Sequence, residues 1–225
     1  MAALALAAAF FLAIHLLISG TPVRGAVVRI IGEGPYMGLF SLLSLVGLWW
    51  LVSSYGPAVQ ENVIFWGSHT VTRVLAVPLQ FAAFLLVVVG LLTRNPTAVM
   101  QTAAVDDTPK GVLRVTRHPF LWGVAIFSFG HLVNNGDAAN FLFFGSLFAL
   151  SLLGTVSIDR KRQAALGERW ERFAMKTSNV PFAAIIDGRN RFVAEEFNLL
   201  HVTVAVSLFF ATLALHEILF GAPPL

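Results

Sequence analysis

The sequence predicts an all-α fold, a polytopic membrane helix bundle of about six spans, on three observations. Hydrophobic residues make up 57% of the 225 residues and charged residues only 12%. Soluble domains carry roughly 25% charged residues, so this chain cannot cover a globular surface with polar groups, and the excess must face lipid. Mean hydropathy is +0.77, and the apolar residues fall into six stretches of spanning or near-spanning length. Finally, the basic residues segregate between the intervening segments as they do in membrane proteins.

The six stretches are Ala2–Ser19, Tyr36–Tyr55, Val74–Thr93, Pro119–Val133, Ala138–Ile158 and Phe197–Phe220. The first has no basic n-region, and Ser19-Gly20-Thr21 is a weak cleavage site, so it is read as a retained span. The fourth is short and is expected to begin before His118 or to sit in a locally thinned bilayer. Gly47, Pro78, Gly90, Gly123, Gly130, Gly145 and Gly154 lie inside spans, where membrane helices tolerate them. Trp49, Trp50, Trp66, Trp122 and Trp170 fall mostly near span ends, as interfacial aromatics do. No repeat or soluble domain is evident, so residues 1–225 read as one transmembrane domain.

Between the spans, Thr21–Pro35 holds Arg24 and Arg29, and Arg94–Arg117 holds four basic residues. Asp159–Glu196 holds eight more, and the opposite side has only Arg73. The positive-inside rule then puts the three basic segments in the cytoplasm and both termini outside, in a bacterial inner membrane. Within the last basic segment, Leu166 to Pro181 reads as a short amphipathic helix. Trp170 and Phe173 lie on its apolar side, with Glu168, Arg169, Glu171 and Arg172 wet. Asn134-Asn135-Gly136-Asp137 reads as a tight outer turn.

Cysteine is absent, which excludes disulfides, iron–sulfur clusters and thiolate-held or covalently attached haem. Chemistry therefore rests on the six histidines, all within or beside spans, where polar residues are costly. His15, His118 and His201 fall toward the cytoplasmic side, and His69, His131 and His216 toward the outer side. Each could simply bond a neighbouring helix, but two facing imidazoles would suit a b-type haem. His118 and His131, thirteen residues apart on one helix, differ in depth by roughly 20 Å and cannot share one iron. Arg117-His118-Pro119 starts the fourth helix, and Asp159-Arg160-Lys161-Arg162 has the composition of a cytoplasmic anchor.

A resemblance runs along nearly the whole chain. It is carried by His15-Leu16-Leu17-Ile18-Ser19-Gly20 leading to Arg24, Ile31-Gly32-Glu33, Leu39-Phe40 and Gly67-Ser68-His69. It continues through Ala103-Ala104-Val105-Asp106, Arg114-Val115-Thr116-Arg117-His118-Pro119, Gly130-His131 and Asp159-Arg160-Lys161, ending in Thr177 to Ile185. In order and spacing these resemble the NnrU family, which includes the 15-cis-zeta-carotene isomerases of plants and cyanobacteria.

The resemblance implies a membrane protein that, in its isomerase branch, holds haem b non-covalently through histidines. His15 and His131 stand at the positions of the proposed axial ligands, and His69 and His118 match further shared histidines. Where that branch has a cysteine, three residues before His131, this chain has Ser128, so a histidine–thiolate exchange is impossible here. Depth conflicts with the implied pair. Either the fourth helix is deeply tilted, or His131 pairs with His69 or His216. A fainter similarity to membrane methyltransferases lacks their carboxylate pair, since the matching stretch is Asp159-Arg160-Lys161-Arg162.

The expected function is cis–trans isomerisation of a lipophilic polyene taken from the bilayer. The alternative is a redox or non-catalytic haem protein supporting nitrite and nitric oxide reduction, with methyl transfer a more distant third. Membrane lipid is the expected partner and nucleic acid is not. No residue pattern specifies an oligomeric state.

Overall fold

In a computed structural model, residues 1–224 are described and form a helical membrane bundle. The first span is α1 (Ala2–Ala13) continued by a π-helical turn, Ile14–Ile18, in which the Ser19 amide bonds the carbonyl of Ile14 at 3.0 Å. The chain then bends by 80° into α2 (Val23–Ile31). Next come α3 (Glu33–Gln60), a short strand β1 (Ile64–Trp66), α4 (Thr70–Leu92) and the one-turn α5 (Val112–Val115). After α6 (Pro119–Asn134) and β2 (Gly136–Asp137) come α7 (Ala138–Leu166), α8 (Glu168–Met175), α9 (Ala183–Ile186) and α10 (Leu199–Phe220).

By length and composition α3, α4, α7 and α10 can each cross a membrane, and the bent pair of α1 and α2 makes a fifth candidate. Helix α6 is apolar but has only 16 residues, about 24 Å of helix against a hydrocarbon core near 30 Å. The short fourth stretch is therefore a feature of the fold. Lipid exposure explains the surface: Trp49, Phe210 and Ile218 are 70%, 58% and 81% exposed, which water would not tolerate in such number.

Small residues set how closely the helices approach. The tightest seam joins α4 and α6, where a Cβ on Gly123 would lie 2.6 Å from a Val87 methyl and 2.9 Å from the Ala83 carbonyl oxygen. Gly90 meets Pro119 and Phe120 equally closely. Without a hydrophobic force between helices in lipid, such backbone-close packing is what holds them. Leu4, Ala7, Ala8 and Phe11 of α1 bury against Leu51 and Ala58 of α3 and Ala139 of α7. Helix α10 closes the other flank, with Ala205 against Val89 and the α5 turn.

Two bundle ends result. At one, β1 and β2 pair antiparallel, Tyr55 donates to Asn140 Oδ1 (2.8 Å), and Asp137 caps α7 through the Asn140 amide (2.9 Å). The stretch expected as a bare turn is thus half of a strand pair. The other end carries most arginines. There α8 buries Trp170 and Phe173 against Val105, on the apolar side read from the sequence.

Candidate functional site

His15, on the π-helical turn, and His131, in the last turns of α6, are built alike. Each Nδ1 faces the carbonyl oxygen four residues earlier, Phe11 at 2.8 Å and Phe127 at 2.9 Å. A carbonyl only accepts, so a hydrogen on Nδ1 satisfies it and leaves Nε2 its lone pair; at His131 the Gln80 amide nitrogen also stands 3.2 Å from Nδ1. Each ring is also clamped by aromatics. His15 lies 4.5 Å from Phe11 and 5.1 Å from Phe40, while His131 lies 4.3 Å from Phe127 and 4.4 Å from Phe144, stacked at 15°. Gln80 of α4 adds a second donor to the Phe127 carbonyl, at 3.0 Å.

This is a Phe-x-x-x-His arrangement on helical spacing, which stacks residues i and i+4 on one face. It produces an imidazole of fixed orientation with Nε2 available to a metal or a proton. A backbone carbonyl on the far ring nitrogen is how ligating histidines are commonly oriented.

The structure does not bring the two together. Beside His131 is Phe144, near the start of α7, whereas Ser19, one turn after His15, is reached by Lys161 near that helix's end. Seventeen residues of α7 separate those contacts, and allowing for the turn back to His15 leaves roughly 20 Å along the bundle. One iron cannot be held by both. His69 does not approach His131 either: it is the exposed N-cap of α4, eleven residues beyond Gln80, roughly 16 Å of helix. His216, near the end of α10, donates from Nδ1 to the Ala222 carbonyl at 2.7 Å. His201 sits in the first turn of α10.

His118 is used differently. It is 2% exposed, and its Nε2 meets Asp159 Oδ1 at 2.7 Å. Arg117 Nε donates to the same oxygen at 3.0 Å, its Nη2 takes Oδ2, and Asn179 Nδ2 adds a bond at 3.2 Å. Burial pushes the His118 imidazole below its ordinary value, against the opposing pull of the Asp159 carboxylate, so the ring is neutral and donates through Nε2. Its Nδ1 is enclosed and has no partner among the described residues.

The network also binds backbone. The Arg117 amide donates to the Ser178 carbonyl (2.9 Å), the Thr116 hydroxyl to the Asn179 carbonyl (2.6 Å), and Trp122 to Asn179 Oδ1 (3.2 Å). Arg114-to-Pro119, Asp159 and Thr177-to-Phe182, far apart in sequence, thereby form one polar knot at the head of α6. Sequence reading treated Asp159 as part of an anchor and missed this role. The available signal was a lone carboxylate directly after an apolar span.

Comparison with known proteins agrees with this arrangement of motifs. A family model described as "NnrU protein" matches residues 3–224. A maize protein, "15-cis-zeta-carotene isomerase, chloroplastic", is 29% identical over 169 residues, 72% of this chain and 45% of its own length. The Arabidopsis thaliana protein of the same description is 34% identical over 96 residues, 40% of this chain and 26% of its own. The chain thus spans less than half the length of these curated relatives. No solved structure matches.

Proposed function

The chain belongs to the NnrU family, and from that premise we propose that it is a membrane isomerase of a lipophilic polyene, such as 15-cis-zeta-carotene, working with non-covalent haem b. The observation that carries the reading is His131, an imidazole held inside an apolar bundle with its Nε2 lone pair free, in a chain whose aligned relatives are described as isomerases.

The donor set fits haem only in part. His15 and His131 do not fit one iron, and His69 does not reach His131. His131 is the ligand of this reading, with His216 its partner, since both have Nδ1 bound to a carbonyl and Nε2 unspent. His15, whose Nε2 faces the Ser44 hydroxyl at 3.5 Å, stands outside this ligand pair. A haem b held by these residues would supply electron density to a conjugated chain and so lower the barrier to rotation. The protein's own residues do the rest. The Phe127 and Phe144 rings fix the imidazole plane, and the aromatic row of Phe81, Phe84, Phe209 and Phe210 offers an extended hydrocarbon a dry wall. In this reading the chain crosses a bacterial inner membrane six times. Its arginine-rich end is cytoplasmic and both termini are outside.

The test is spectroscopic first. Purified from haem-replete cells, the protein should show a haem absorption spectrum that sharpens on dithionite reduction and is lost or shifted in His131→Ala. A colourless preparation removes the haem from the proposal. Expression in cells that accumulate the cis isomer should then raise the trans fraction read by chromatography. A haem-loaded protein with no effect on that fraction favours instead a redox role in nitrite and nitric oxide reduction.

A further inference from the structure

A group of cations gathers where the first span ends, and only one of them, Arg24, has a carboxylate partner. Lys161 of α7 touches only the Ser19 hydroxyl, at 3.4 Å. Arg162 donates to two neutral acceptors, the Thr102 hydroxyl at 2.8 Å and the Ala98 carbonyl at 2.9 Å. Neither forms an ion pair among the described residues, although both are half-buried. Arg24 of α2 gives one donor to Glu33 and keeps the others. Lys161 and Arg162 are consecutive on α7, and the Ser19 that Lys161 reaches precedes Arg24 by five residues, so like charges collect at this bend. Holding three cations together at partial burial costs free energy, and the single carboxylate nearby, Glu33, offsets it only at Arg24.

The surroundings say what would offset it. Helix α2 follows an 80° bend, and its Val23 and Ile30 are exposed, Ile30 at 83%. A short helix after such a bend, with apolar residues outward and Arg24 bonded to Glu33 of α3, has the character of a helix at the headgroup interface. Its N-terminus follows Ser19 by only four residues, and the Val23 and Arg24 amides there bond the Thr21 hydroxyl and carbonyl. Tetrahedral phosphate oxygens accept from guanidinium, ammonium and hydroxyl together.

We propose that Arg24, Lys161 and Arg162 form a phosphate-binding site, filled by the phosphodiester headgroup of an anionic phospholipid or by free phosphate. The site lies at the opposite end of the bundle from His131 and does not depend on the haem reading.

The experiment compares the full chain in detergent with Lys161→Gln/Arg162→Gln, using Arg160→Gln, an exposed neighbour, as control. Thermal midpoints and bound lipid, by native mass spectrometry, are read with added phosphatidylglycerol, phosphatidylcholine, or inorganic phosphate against chloride at equal ionic strength. Phosphatidylglycerol should stabilise the wild type and the control, and bind the double variant at least about tenfold more weakly, as loss of two interfacial cations implies. Stabilisation of the wild type by inorganic phosphate as well, again lost in the double variant, assigns the site to soluble phosphate. Equal responses of wild type and double variant to every additive overturn the proposal. If the double variant does not fold, Lys161→Gln alone carries the same comparison.

Discussion

Asp159 holds three partners at once and is the residue whose loss the fold should feel most. Arg117 is largely buried, 13% exposed, and Asp159→Ala strands it without a counter-ion beside an unsatisfied His118. Breaking a buried pair in this way typically costs roughly 3–5 kcal/mol. Thermal unfolding in detergent, followed by the fluorescence of nearby Trp122 and Trp170, should register it, and Asp159→Asn should lose less. A second ion pair gives a pH signature. The two oxygens of Glu196 take Arg114 Nε and Nη2 at 2.6 and 2.7 Å, and Oε2 also accepts from the Gly111 amide at 2.9 Å. The Arg114 hydrogen bonds hold this carboxyl down to about 2 from an ordinary 4.5. A carboxyl depressed in the folded state stabilises above its unfolded pKa, and that share is lost as pH falls from about 4.5 toward 2. The gap in thermal midpoint between wild type and Glu196→Gln should therefore be full at neutral pH and close across that window.

Elements were more readable than the contacts between them. All six apolar stretches recur as helices, and four of them, with a fifth as a bent pair, are long and apolar enough to cross a membrane. The amphipathic helix around Trp170 was readable for the same kind of reason, a periodic apolar side. The strand pair of Ile64–Trp66 with Gly136–Asp137 was not, because its two halves are too short to show a period and find each other only through the bundle. The conflict in depth between His15 and His131 was readable from the sidedness of their spans, and the structure keeps it. The Asp159 knot was hidden, since hydrogen bonds among residues forty positions apart leave no local pattern. At the seam of α4 and α6, Gly123→Ala should destabilise by about 1–3 kcal/mol, as overpacking does. Gly145→Ala, with open space around its α-carbon, should cost nothing measurable in the same melt. Asn198→Ala removes the acceptor for the Leu200 and His201 amides and should cost α10 about 1 kcal/mol.

At the scale of the molecule, charge segregation becomes a statement about which end meets which compartment. The chain has no cysteine, so single cysteines can report on it without background. Asn62→Cys, at the end bearing the strand pair, should react with an impermeant maleimide in intact cells. Glu171→Cys on α8 should react only after the cells are opened. Labelling in the reverse order would invert the topology while leaving the bundle itself untouched.

The π-helical turn at Ile14–Ile18 has a consequence for how the first span can change. Upstream of it, Leu4, Ala7, Ala8 and Phe11 are locked to α3 and α7, and downstream Ser19 meets Lys161. An uninterrupted α-helix advances about 100° per residue, so the extra residue in the wide turn acts as a phase adjuster between two seams of different register. Deleting Ile14 would remove that adjuster. The span would have to misalign one seam by about a quarter turn, swinging His15 away from Phe40 or pulling Ser19 off α7. Substitutions of Ile14 by other apolar residues should be tolerated where that deletion is not, which makes residue count, more than side-chain identity, the quantity held fixed at this point of the chain.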